Sequence, residues 1–350
     1  MEPNPPASPI WELAARAEER WPAIDSAREH ADRTKQQLTE LVSDLLPAED
    51  ASVVVFGSLA RGEVTSGSDT DWTLLVDGQA SSTHLDVAHR VEAMLADADQ
   101  KGPGREATFG GLAFSHELLH RIGGGDDTNR NLTQRILLLL ESAALGPAEA
   151  HERVIRGILN RYINEDAGWN ERTVTVPRFL LNDVARYWRT VAVDFAYKRR
   201  DRAEEGWALR TIKLRMSRKL TYASGLLACF SCDEEPSITE ADDRSKAVIE
   251  HLLTLVALTP LERIAHIALR KSLTEPAVML FRSYDAFLRL LDDTEAREHL
   301  QELARSEARD DATFVRARQI GHDFQAALDG IFFGENGSHI PQLTTKYGVF

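Results

Sequence analysis

The chain has 350 residues, 43% of them apolar, and its 55 Asp+Glu outnumber 41 Lys+Arg to give a formal net charge of −14. A sequence of this length makes about two domains and buries enough surface to fold without disulfides or structural metals. The negative charge argues against general nucleic-acid binding, which needs a basic surface, and no run of about eighteen apolar residues offers a membrane span.

The first residues, punctuated by Pro3, Pro5, Pro6 and Pro9, read as a leader over 1–22. They lack a basic segment followed by an apolar core, and Cys229 and Cys232 are the only cysteines, so a cytoplasmic location is expected. Ile24, Ala27, Ala31, Leu38, Leu41, Val42 and Leu45 then follow a helical rhythm that ends at Pro47. Ser52-Val-Val-Val-Phe56 is β-branched and aromatic and predicts a buried strand, and Asp71-Trp-Thr-Leu-Leu-Val76 predicts a second. A helix from about Leu85 to Ala98 follows, then a glycine-rich loop at 101–104 and a third strand over Thr108 to Ser115. From Asp126 the pattern is helical, with segments at 129–145, 149–165, 177–198, 207–230, 245–258, 260–271, 276–292, 295–307 and 311–332. The fold class expected is α+β: a small mixed-sheet head over 23–125, an all-helical domain over 126–335, and a tail over 336–350 that docks without forming an element of its own.

Chemistry concentrates in Val55-Phe-Gly-Ser-Leu-Ala-Arg-Gly-Glu-Val-Thr-Ser-Gly-Ser-Asp-Thr-Asp-Trp-Thr-Leu-Leu-Val76. A strand runs into Gly57-Ser58, ten residues intervene, and Asp69 and Asp71 open the next strand. Strand alternation puts both carboxylates on one side, about 7 Å apart, where they can share divalent ions. A glycine before the serine lets backbone N–H groups approach a phosphate closely.

This arrangement resembles the DNA-polymerase-β-like nucleotidyltransferase superfamily, and Gly-Ser-x-Ala-Arg-Gly-Glu followed by Ser-Asp-x-Asp is most similar to the branch of the PII-protein uridylyltransferases. The resemblance implies transfer of a nucleoside monophosphate from a nucleoside triphosphate to an acceptor, with pyrophosphate leaving. It implies that Asp69 and Asp71 ligate two Mg²⁺, and that Ser58 and the backbone of Gly57 hold the terminal phosphates. Arg61 is expected to add a cationic fork to the triphosphate, the alternative being that it pairs with Glu63 or another surface acid. The family supplies a third carboxylate from a later strand; Leu112-Ala-Phe-Ser115 contains none, Glu106 precedes it, and Glu117, which follows, is the expected third catalytic carboxylate.

In the helical domain, Asn182, Asp183, Arg186, Trp188, Arg189 and Asp194 share one helix, and Arg210, Lys213, Arg215, Arg218 and Lys219 the next. Lys213 is the residue expected to reach the phosphates from this domain. Cys229 and Cys232 read as core thiols, because no second pair stands at metal-ligand spacing. The expected acceptor is a protein; the alternatives are a small molecule such as an antibiotic as acceptor, synthesis of a nucleotide messenger with no added acceptor, and addition of nucleotides to RNA ends, and a nucleotide-binding module without turnover is the non-enzymatic reading.

Overall fold

The computed structural model describes residues 8–45, 50–98, 102, 109–165, 176–201, 205–335 and 337–348. Glu106, Thr108 and Trp169 fall outside these ranges.

The architecture is α+β, with a small four-stranded mixed sheet in the N-terminal part and helices dominating the rest. The sheet has the order β3-β2-β1-β4, from β1 (Ala51–Phe56), β2 (Asp71–Val76), β3 (Gly111–Phe114) and β4 (Ser142–Leu145). β1 pairs antiparallel with both β2 and β4, and β2 pairs parallel with β3. Phe56 stands opposite Asp71 on one side and Ser142 on the other, so the chain leaves β1 beside the start of β2.

Alternation along these strands divides the core. Val53, Val55, Trp72, Leu74 and Val76 pack on one face with the helices α2 (Pro22–Val42) and α4 (Ser82–Asp97). Val54, Phe56 and Leu75 point the other way and join the large core of the helical body. Asp71 has the parity of Thr73 and Leu75 and so faces that body.

The structure departs from the sequence expectations at several points. The supposed leader contains α1 (Pro9–Ala17), with Pro9 at a first-turn position and a left-handed Glu18 closing it; Ile10 and Leu13 are fully buried in the large core. The helix expected over 129–145 is α6 (Asn129–Leu140), and the chain turns at Glu141 into β4, beyond the expected end of the head at 125. That turn is fixed by its partners: Arg263 donates to the Leu140 carbonyl at 3.3 Å, and three side chains converge on the Glu141 carboxylate. The helix expected over 207–230 divides into α9 (Trp207–Lys213), a π-helical turn at Leu214–Arg218, and α10 (Lys219–Ser231). The tail does form structure, a short helix at Ile340–Leu343 and a second π turn at Thr344–Gly348, anchored by the buried Ile340, Leu343 and Thr344.

The remaining helices of the body are α5 (Ser115–His120), α7 (Glu149–Asn164), α8 (Arg178–Asp201), α11 (Pro236–Thr239), α12 (Arg244–Val256), α13 (Pro260–Arg270), α14 (Thr274–Asp292), α15 (Thr294–Glu302) and α16 (Ala312–Phe332). Among the described residues no helix is long and apolar enough to cross a membrane.

Candidate active site

A cleft opens where the end of β1, the start of β2 and the helical body meet. β1 is all apolar apart from Ser52 and runs straight into Gly57, whose φ of +67° is a left-handed conformation that an L side chain would strain. A Cβ on Gly57 would also lie 3.1 Å from Asp71 Oδ2, so the missing side chain leaves open space at that carboxylate. Ser58 follows in α3 (Gly57–Arg61), a single turn closed by the left-handed Gly62.

Six of the seven expected site residues, Gly57, Ser58, Arg61, Asp69, Asp71 and Lys213, line this cleft. Glu63, Thr65, Ser68, Ser217 and Arg218 line it too, and Phe287, Leu288 and Leu291 of α14 form an apolar wall. The enclosed part is about 100 Å³, against roughly 300–1,000 Å³ for a pocket that swallows a whole small ligand.

Glu117 is elsewhere. It sits on α5 with its side chain 47% exposed and Arg121 at 3.4 Å, and it does not line the cleft. The next helical turn after β3 carries it outward, and β3 itself contains no acid. Besides Asp69 and Asp71 the acid that lines the cleft is Glu63; behind it Glu141, which follows a leucine run that reads as continuing helix, does not line the cleft but holds two of its cations, Arg61 and Arg218. Glu141 Oε2 accepts from Arg61 Nη1 at 2.9 Å and from Thr221 Oγ1 at 2.6 Å, and Oε1 accepts from Arg218 Nη1 at 3.0 Å. Burial opposes ionisation of Glu141, but Arg61, Arg218 and Thr221 outweigh it and hold the carboxyl below its ordinary range.

Arg61 takes the pairing alternative. Its Nε donates to Glu63 at 2.7 Å and its Nη1 to Glu141, and the residue is 7% exposed. Burial disfavours its charge, yet the two carboxylates keep it firmly protonated. Arg61 therefore braces the floor of the cleft with two of its nitrogens already committed.

Electrostatics single out two groups. Burial raises Asp71, against the pull of Arg218, and the neighbouring Asp69 and Glu141 carboxylates raise it further. Bringing divalent cations to that spot would relieve the repulsion, and a donor set of carboxylate oxygens suits a hard cation such as Mg²⁺. Lys213 is pulled down to about 8, first by burial and then by Arg297, with Asp69 opposing.

Lys213 and Arg218 reach the same cleft because of the π turn. Five residues apart on an α-helix, they would point about 140° from each other; the wider turn between them brings both to one side. The other basic residues of this segment diverge: Lys219 donates to Gln325 on α16 at 2.7 Å, and Arg210 does not line the cleft. Asp183 and Arg186 belong to a separate buried cluster with Arg135 and Asp127. Trp188 stacks on Tyr222 and Trp207 tilts against Phe314. Cys229 and Cys232 are buried, and burial pushes the Cys229 thiol up to about 12. Asp233, Glu234 and His339 bring ligand-type atoms within 4.8 Å of one another at the tail, but Arg270 and Lys271 line the same cavity and already supply positive charge there.

Residues 35–105 match the family model described as "Nucleotidyltransferase domain". No curated protein and no solved structure matches the chain. The matched stretch covers the C-terminal end of α2 together with β1, α3, β2 and α4, and so contains Gly57, Ser58, Asp69 and Asp71. A domain of this family implies a nucleoside triphosphate as substrate, transfer of its monophosphate and, usually, a divalent metal.

Proposed function

With a nucleotidyltransferase domain at 35–105 as the premise, we propose that this protein is a Mg²⁺-dependent enzyme that transfers a nucleoside monophosphate to a protein acceptor and releases pyrophosphate. The observation that carries this reading is the convergence of Asp69, Asp71, Gly57, Ser58 and Lys213 on one cleft from three separate stretches of the fold.

Asp69 and Asp71 would hold the metal. Two Mg²⁺ bound there supply neutralisation of the charge that develops on the phosphates and alignment of the acceptor oxygen with the α-phosphorus. The chain's own residues do the rest. The backbone at Gly57 and the hydroxyl of Ser58 receive the terminal phosphates, and Lys213 closes on them from the helical body. Arg218 and Arg61, both tied to Glu141, hold the floor of the cleft in a fixed arrangement. The acceptor hydroxyl oxygen attacks the α-phosphorus and gives up its proton to solvent, the bond from that phosphorus to the α,β-bridging oxygen breaks, and pyrophosphate departs. The net charge of −14 supports a protein over a nucleic-acid acceptor, and the Gly57-to-Glu63 run with Ser68-Asp-Thr-Asp71 supports kinship with the PII-protein uridylyltransferase branch.

One observation favours a second reading. β3 carries no acid, Glu117 points away, and both oxygens of Glu141 are taken. A module that binds Mg²⁺–nucleotide without turnover would be built this way.

Pyrophosphate release separates the two. The full-length protein is given Mg²⁺ and each of the four nucleoside triphosphates, with and without cell lysate, beside an Asp69→Ala/Asp71→Ala double variant. Lysate-dependent release that vanishes in the variant is the expected result. Nucleotide binding with no release under any condition overturns the enzyme reading in favour of the second.

A further inference from the structure

Arg297, on α15, grips the head at a point 230 residues away in sequence. Its Nη1 donates to Thr65 Oγ1 at 3.1 Å, and its Nη2 donates to the Gly67 carbonyl. Thr65 and Ser68 already form a closed turn, in which the Ser68 N–H donates to the Thr65 carbonyl at 3.0 Å and the Thr65 N–H to Ser68 Oγ at 3.0 Å. Arg297 thus holds the first and third residues of the turn that leads directly into Asp69.

Gly67 shows how closely the two parts fit. Its backbone is not in the left-handed region, so the conformation alone would accept any residue. What excludes a side chain is Arg297: a Cβ at Gly67 would lie 2.6 Å from both Cζ and Nε of the guanidinium. The glycine serves as a seat for a flat cation. α15 also packs against α9, the helix that carries Lys213, so one arginine links the Asp69 turn to the phosphate-binding side of the cleft.

We propose that Arg297 is a positioning residue: seated on Gly67 and bonded to Thr65, it fixes the turn that presents Asp69 and so sets the divalent-metal affinity of the cleft. This rests on the reading of Asp69 and Asp71 as the metal carboxylates. Partners that orient metal ligands are typically worth about 10–100-fold in affinity. Because a guanidinium near Asp69 also repels a cation, the informative variants keep the positive charge and break only the fit. Gly67→Ala displaces the guanidinium, and Arg297→Lys retains the charge but loses the planar fork.

The test is a Mn²⁺ titration of the full chain followed by electron paramagnetic resonance, for the wild type, Gly67→Ala, Arg297→Lys, the double variant and Asp69→Ala. Each single variant is expected to weaken Mn²⁺ binding roughly tenfold at an unchanged melting temperature. The double variant is expected to bind no more weakly than either single one, since both break the same contact. Affinity within twofold of wild type in both single variants, or losses that multiply in the double, overturns the proposal. Wild-type binding that survives Asp69→Ala sinks the metal reading of the cleft itself, and the positioning role with it.

Discussion

Two buried clusters in this molecule have the same composition and different surroundings. One joins Arg61 and Arg218 to Glu63 and Glu141; the other joins Arg135 and Arg186 to Asp127 and Asp183. Each balances two arginines against two carboxylates. In the second, Arg135 donates to both oxygens of Asp127 at 3.0 and 2.9 Å, to Asp183 at 2.9 Å and to Tyr162 at 2.7 Å, and Tyr162 in turn donates to Asp183 at 2.6 Å. It is closed on itself and ties α6, α7 and α8 together. The first borders a cleft that holds two further carboxylates, Asp69 and Asp71, and a displaced lysine. Burial and charge pairing alone therefore do not mark a site; what marks it is negative charge left facing an opening beside an already balanced floor.

The contrast is sharpest in the effects of charge removal. Asp69→Asn or Asp71→Asn is expected to lower pyrophosphate release by at least about 10³-fold while leaving the melting temperature unchanged or raised, because each removes a repelling charge. Arg61→Met strands Glu63 and Glu141 without their shared cation, and is expected to cost about 3–5 kcal/mol in denaturant unfolding and to reduce activity per folded molecule. Arg135→Met is expected to cost about the same in stability, with activity per folded molecule retained. Equal losses of activity in the two arginine variants would break the distinction.

A smaller effect concerns histidine. Burial pulls His151 down to about 4 from 6.5, and its Nε2 meets Ser142 Oγ at 2.8 Å at the start of β4. Below pH 6.5 the unfolded chain takes up a proton that the folded chain refuses until about pH 4. The stability this group contributes above pH 6.5 is thus lost as pH falls through that window, by about 3 kcal/mol at most. His151→Gln should flatten the pH dependence of the unfolding free energy between pH 6.5 and 4. The smallest expected effect is none: burial keeps both thiols protonated, so a thiol reagent should leave Cys229 and Cys232 untouched in the native protein and label them only on denaturation.

The parts of the site legible in the sequence are those set by short-range rules. Strand character before Gly57, a glycine that must be left-handed, and two aspartates at strand spacing all lie within twenty residues of one another. Lys213 is within reach through the resemblance, which implies a cation from the helical domain on the phosphates, and Arg218 stands in the same run of cations without being told apart from its neighbours. Glu141 and Arg297 are not legible, because each acts through a contact made by the fold. Glu141 needs β4, four residues whose small side chains pair with the open edge of β1 and carry no strand signal of their own. Arg297 needs a glycine 230 residues away, and nothing in the spacing connects them. α1 was hidden by prolines that look like a disordered leader yet place Pro9 where a helix tolerates it.

The π turn at Leu214–Arg218 makes the cleft dependent on chain length as well as on residue type. In genetic terms such a turn is a one-codon insertion into a helix. Losing one of those five codons would let an ordinary α-helix run through with Lys213 and Arg218 four apart, about 40° from each other and still on one side. Gaining a further codon would rotate everything downstream by about 100° and turn Arg218 away from Glu141, and Thr221 with it, although every residue named in the site would still be encoded. Among related genes, such an insertion should be as damaging as the loss of an aspartate, and a comparison that scored only residue identities would not see it.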